Sequence, residues 1–190
     1  MQPARLDLPI IPGETLRKPF WLLQPIFEYR PISVIEQSAP LRLTVPTHGL
    51  HADWPVWIEG VDRWSNLNRD KLREPFFMAL RIDDSTLELN EFNGIGKNAS
   101  GGMLVYRPGV DLAGVTGRLT IRGRATIELT TENGGLVIEG VGQLLMVLTA
   151  EQSALITPGS TYDLDLTMSN GDVLRWLRGD VVIDRGGCHG

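Results

Sequence analysis

Residues 118–139 read RLTIRGRATIELTTENGGLVIE, and their pattern decides the fold. Leu119 and Ile121 fall on one side of an extended chain and Thr120 and Arg122 on the other, the period of a strand with one buried face. Thr126–Thr130 repeats it. Glu132-Asn133-Gly134-Gly135 then supplies the positive φ angles of a tight turn before Leu136–Glu139. Further on, Gly140 and Gly142 bracket a turn into Gln143–Leu148, and Tyr162, Leu164 and Leu166 alternate with Asp163 and Asp165. Ser169-Asn170-Gly171-Asp172 turns the chain into Val173–Leu177, and a last strand follows Gly179 at Val181–Ile183. Thr149–Leu155 reads as one helical turn ahead of Pro158-Gly159. About six short strands with turns at roughly 8–12-residue spacing argue for a β-sandwich.

Upstream the chain is also extended. Leu41, Leu43 and Val45 alternate with Arg42 and Thr44, and Val56 and Ile58 alternate with Trp57 and Glu59. Phe77–Ile82, Leu87–Leu89 and Met103–Tyr106 are further strands. No 3.6-residue stripe lasts three turns, so the expected class is all-β. Prolines separate the regions: Pro3, 9, 12, 19, 25, 31, 40, 46 and 55 crowd the first part, whereas only Pro108 and Pro158 follow Phe76. Proline removes a backbone donor and is confined to sheet edges, strand starts and bends. The first third is therefore expected to be irregularly paired, with a domain seam at Pro108.

The chain has 190 residues, 42% hydrophobic and 22% charged, which is globular composition and room for one large or two small domains. Its formal net charge of −5 leaves no basic surplus for a phosphate backbone. One cysteine, Cys188, excludes a disulfide framework and a multi-thiolate zinc site within one chain. No apolar run approaches the roughly 18 residues of a membrane span. Asp7 and the early prolines are incompatible with a signal peptide. The expectation is a soluble protein made without secretion machinery. Arginine far outnumbers lysine, which fits either codon bias or arginine's use at protein interfaces.

Candidate chemistry is sparse. His48 and His51 stand three apart near Asp53, a spacing that puts them on opposite faces of a strand, so His48-Gly49-Leu50 reads as a turn rather than a metal site. Gly94–Ser100 is glycine-rich, but Glu91 replaces the first glycine of a phosphate loop, Asn98 replaces its hydroxyl residue, and no helix follows. Asp83-Asp84 with Ser85-Thr86 is ordinary hairpin-turn content. Asn98-Ala99-Ser100 matches a glycosylation acceptor, an accidental match without a signal peptide. Cys188 and His189 adjoin in a glycine tail that cannot hold catalytic geometry. No catalytic residue, metal or cofactor is expected. Trp54, Trp57 and Trp64 are the candidate partner contacts: with Val56 and Ile58 facing the core, Trp57 points outward, to cover a loop or neighbouring domain or to anchor a partner.

The run Val110–Arg122 (VDLAGVTGRLTIR) with Leu129–Gly135 (LTTENGG), Tyr162–Leu166 (YDLDL), Gly171–Gly179 (GDVLRWLRG) and Val181–Ile183 resembles the immunoglobulin-like β-sandwich module of tailed-bacteriophage virion proteins, similar to the N-terminal domains of phage baseplate upper proteins. Ile11–Thr15 with Phe20-Trp21 resembles that module's first strand. Thr47–Leu50, Val56–Val61, Leu67-Asn68, Ile82–Leu89 and Ser100–Gly102 resemble a second phage element. Two features depart from the pattern: Trp54-Pro55 replaces small loop residues, and the Gly123-Arg124 hairpin is short.

The resemblance implies an immunoglobulin-like β-sandwich, residues 1–31 plus 108–185, interrupted by an inserted small β-barrel-like domain at 32–107, with a flexible tail at 186–190. It requires Leu16–Leu23 to pair with the C-terminal strands. It further implies a non-enzymatic structural component of a tailed phage particle, a tail, neck or baseplate adaptor that docks on a ring and anchors a fibre or spike. Its partners would be portal or adaptor, tail-tube, fibre or spike subunits, in multiple symmetric copies. Neither nucleic acid nor membrane would be a direct partner, and the protein would be assembled into the virion in the host cytoplasm. The proline-rich N-terminal arm is the natural segment to reach a neighbour. The alternative is a carbohydrate- or host-receptor-binding module whose tryptophans stack on sugars.

Overall fold

Alternating side chains, glycine turns and the scarcity of helical stripes produce an all-β chain. A computed structural model describes residues 3–184. The expected tail at 186–190, with Cys188 and His189, lies outside the described residues. The strands in chain order are β1 (Ala4–Arg5), β2 (Leu8–Ile10), β3 (Leu16–Trp21), β4 (Glu28–Pro31), β5 (Val34–Ile35), β6 (Leu41–Thr44), β7 (Trp54–Asp62) and β8 (Phe77–Arg81). They continue with β9 (Thr86–Leu89), β10 (Ser100–Tyr106), β11 (Thr116–Arg122), β12 (Thr126–Thr130), β13 (Leu136–Gly140), β14 (Gln143–Leu148), β15 (Thr161–Thr167) and β16 (Val173–Ile183). The helix α1 (Ala150–Ala154) is closed by a capping box, Thr149 accepting from the Gln152 backbone while the Gln152 side chain accepts from the Thr149 N–H. Among the described residues no helix is long and apolar enough to cross a membrane.

The chain divides into two compact units, residues 1–22 with 109–190, and residues 23–108. In the first, one sheet has the order β1–β16–β15–β11–β12, with β2 also on β16, and a second has β13–β14–β3. Leu119, Ile121, Tyr162, Leu164 and Leu166 from the first sheet and Phe20, Leu136, Leu144, Met146 and Leu148 from the second form one core, a β-sandwich-like arrangement. β3 pairs antiparallel with β14, from Leu16 opposite Leu148 to Trp21 opposite Gln143. Leu22 donates to the Gly142 carbonyl, so the even-numbered residues of β3 face the ladder and Pro19 points its missing donor outward, where it costs nothing.

The N-terminal segment lies along β16. Leu8 and Ile10 are buried in the sandwich core, Leu6 donates to the Arg178 carbonyl, and the Tyr162 hydroxyl donates to the Leu6 carbonyl at 2.6 Å. Residues 4–10 thus serve their own sheet, which corrects the expectation of an arm reaching a neighbour. β16 is one strand of 11 residues, not two broken at Gly179. A side chain at Gly179 would put its Cβ 1.9 Å from the Leu6 carbonyl oxygen, so this glycine admits the N-terminal segment rather than ending the strand.

In the second unit the order is β4–β10–β7–β8–β9–β6–β5. β4 and β5 are separated only by Ile32 and Ser33. Ile32 donates to the Gly102 carbonyl of β10 and Ser33 to the Thr44 carbonyl of β6. Both ends of the sheet therefore meet on one chain segment, and the sheet curls into a barrel-like layer around Leu41, Leu43, Val56, Ile58, Leu67, Leu87, Leu89 and Leu104, all fully buried. Residues 28–31 were expected to belong with the sandwich, but they pair with β10 from Pro31 opposite Met103 to Glu28 opposite Tyr106. The prolines hid this strand: Ile32 faces the ladder, so Pro31 faces away from it and removes no bond.

Candidate interaction surfaces

The three candidate tryptophans, Trp54, Trp57 and Trp64, lie in or beside β7. Trp54 and Trp57 are 5% and 8% exposed, so of the two expected roles for the outward-pointing Trp57, packing under a loop or anchoring a partner, the structure shows the loop contact: both faces of the strand are covered at Trp54–Ile58. The Trp57 indole N–H donates to the Glu74 carbonyl at 2.9 Å, and its ring makes edge contacts with Phe27 at 5.8 Å and Phe76 at 6.1 Å. Trp54 donates to the Arg107 carbonyl at 2.9 Å. Of the three, only Trp64 stays half-exposed, edge-on to Phe92 at 5.7 Å with the Lys97 ammonium 5.6 Å from its ring.

The cover is the segment running from the 3₁₀ turn Ser65–Leu67 to Phe76. Asn68 staples its start to β7 by accepting from the Val61 N–H at 2.8 Å and donating to the Val61 carbonyl at 2.9 Å. Lys71 pairs with Glu59 at 2.8 Å, and this hydrogen bond raises the Lys71 pKa. Asp70 accepts from Leu72 N–H and Glu74 from Asp70 N–H. A shallow groove of about 450 Å³ lies among Glu59, Asn68, Arg69, Asp70, Lys71 and Glu74. The segment's short-range polar side chains, Asn68, Asp70 and Glu74, are the only sequence signal for this cover.

The other sequence candidates serve turns. His48 is fully buried; its Nδ1 accepts from the Leu50 N–H at 3.0 Å, so Nε2 carries the proton and donates to the Asp83 carbonyl at 2.8 Å. Asp53 accepts from the Arg81 N–H, and His51 is exposed, so the three do not converge. The Ser85 N–H, donating to Asp83 at 2.8 Å, holds that carboxyl below its usual range, and Asp84 pairs with Arg81. In the Gly94–Ser100 loop Asn93 accepts from Ile95 N–H and Asn98 from Gln37. The Tyr106 hydroxyl donates to the His48 carbonyl at 2.7 Å, with the Glu28 carboxylate 2.9 Å away. Burial, then the contact with Glu28, pushes its pKa up to about 12.

The two outer faces of the sandwich differ in chemistry. On the β1–β16–β15–β11–β12 sheet, Arg122 and Arg175 both pair with Asp163, Arg175 also with Asp165 at 2.8 Å, and Arg5 with Asp180 at 2.6 Å. On the three-stranded sheet Leu144, Met146 and Leu148 point into the core, so Gln143, Leu145 and Val147 point out. Strand register sets three rows across that face: Arg17–Val147–Gly135, Pro19–Leu145–Val137 and Trp21–Gln143–Gly140. The face is mostly apolar, with Val137 40% exposed and Val141, in the adjoining turn, 47% exposed. Leu145, Val147 and Trp21 on the same face are partly exposed. No family model matches the chain, and no protein among those curated for function does.

Proposed function

We propose that the chain is a non-enzymatic structural component of a tailed phage virion, a tail, neck or baseplate adaptor that docks on a ring and anchors a fibre or spike. The observation that carries this reading is how the phage-like segments fall on the fold. VDLAGVTGRLTIR, YDLDL and GDVLRWLRG, the last with Val181–Ile183, occupy β11, β15 and β16, three successive neighbours in one sheet. THGL, Val56–Val61, Ile82–Leu89 and Ser100–Gly102 fall in the other unit. Two β units presented by one chain, one with an apolar outer face, suit a part that works by surface contact. The chain would be assembled into the particle in the host cytoplasm, beside portal, tail-tube, fibre or spike subunits.

The glycan-binding alternative needed a tryptophan platform, and Trp54 and Trp57 are buried, so no observation favours it. Mass spectrometry of gradient-purified particles tests the proposal. The chain is expected at a fixed stoichiometry to the tail proteins, and particles from a nonsense mutant in its gene are expected to lack a fibre or spike. Its absence from infectious particles would overturn the reading.

A further inference from the structure

On the outer face of the three-stranded sheet, Leu145 stands at the centre of the three rows, flanked by Pro19, Val137 and Val147. Arg17 occupies one corner. At the diagonally opposite corner the register of β13 slips between Ile138 and Gly140, which places Glu139 beside Gly140 at the sheet edge. Arg17 and Glu139 are both exposed, and neither makes an ion pair or side-chain hydrogen bond among the described residues. On the opposite sheet Arg5, Arg122 and Arg175 are paired within the chain, while Arg118 and Arg178 make no ion pair among the described residues. The apolar face is thus bracketed by one unpaired cation and one unpaired anion.

The geometry points to a second copy of this chain as the occupant of this face. A two-fold contact requires self-complementarity, so that residue i meets residue j and j meets i. An axis along the diagonal through Trp21, Leu145 and Gly135 exchanges the other two corners. It sets Arg17 against the partner's Glu139 and Glu139 against the partner's Arg17, with Leu145 on Leu145 at the centre. The strands of the two sheets then cross at about 70°, nearer the orthogonal than the aligned sheet packing. Strands about 4.8 Å apart, read over rows about 7 Å apart, give a platform of roughly 10 by 14 Å between outer Cα atoms. That is well under the roughly 800 Å² per partner of a standard interface, so the contact is reversible and shows itself at high concentration. It rests on the sheet alone and not on the virion reading.

The test is sedimentation equilibrium of the full chain from about 10 µM to 1 mM, a range that brackets weak self-association. A monomer–dimer equilibrium is expected. Arg17→Glu or Glu139→Arg alone weakens it by about tenfold, and the two together restore it. Leu145→Cys in a Cys188→Ser background is expected to oxidise to a disulfide-linked dimer, because that position lies on the axis. A chain that stays monomeric to about 1 mM overturns the inference, and so does a dimer indifferent to both charge changes. Either result leaves the particle-composition test of the proposed function standing, and absence from particles leaves this one standing.

Discussion

Replacing Gly179 with alanine tests how the sandwich unit holds its first strands. The new Cβ would lie 1.9 Å from the Leu6 carbonyl oxygen and 2.7 Å from its carbon, both backbone atoms that cannot rotate away. The N-terminal segment has to move by about 1.5 Å to bring that oxygen to an ordinary contact of 3.4 Å or more. The least movement breaks the 2.6 Å hydrogen bond from Tyr162, worth about 1 kcal/mol, and leaves a buried hydroxyl short of a partner at a similar cost. The most it can do is release Leu8 and Ile10, 0% and 1% exposed, at roughly 1.5–3 kcal/mol each. The expected loss is therefore about 2–4 kcal/mol, with a ceiling near about 8 if both residues are released. Native-state hydrogen exchange at the amides of Ile10, Leu177 and Val181 reads this locally, and about 1.4 kcal/mol corresponds to each tenfold loss of protection. Gly140→Ala is the control, since its Cβ would meet nothing nearer than 3.7 Å, and it should stay within about 0.5 kcal/mol. A Gly179→Ala protein as well protected as that control would refute the close-approach reasoning.

Other consequences follow from side chains already placed. Trp57→Ala removes a buried ring with two aromatic edge contacts and should cost about 3–5 kcal/mol in chemical denaturation, chiefly in the second unit. Asn68→Ala breaks both staple bonds to Val61; it should cost about 1–3 kcal/mol and raise the rate of proteolysis between Arg69 and Phe76. Burial pushes Tyr162 up to about 12 and, with the Glu28 contact, Tyr106 to the same value. The native state therefore keeps these protons when the unfolded chain has already lost them near pH 10. Stability should be intact below pH 10 and fall between about pH 10 and 12, by on the order of 2 kcal/mol per tyrosine. Urea titrations at pH 9 and 11.5 check this, and Tyr162→Phe should flatten the alkaline loss in the sandwich unit.

The strands of the sandwich were legible because local signals agree there: Leu119 and Ile121 alternate, Gly134 supplies a positive φ of 75°, and the buried set matches the alternation. The pairing of β3 with β14 was legible only through the phage resemblance, because nothing local in Leu16–Trp21 names a partner more than a hundred residues away. Proline misled twice. At Pro31 it disguised a strand whose outward parity tolerates it. At the N-terminus it suggested a reaching arm, whereas Leu8 and Ile10 are core residues. Gly179 was read as a break because a sequence shows a missing side chain but not the carbonyl that needs the space. For Trp57 period-two logic assigned the outward face and left a covering loop or a partner open, because alternation alone cannot say that residues 69–76 lie over it. The chemically bland reading of His48 and Asp83-Asp84 was legible, since each stands beside the backbone donors and acceptors of its own turn.

The most direct measurement of the central claim is a reconstruction of the phage particle in which this chain can be traced. The account requires a repeated subunit around the tail axis, both β units in contact with neighbouring virion proteins, and the N-terminal strands lying on β16 of the same copy. A particle whose density is fully assigned to other chains, with this one found only free in infected cells, would contradict it.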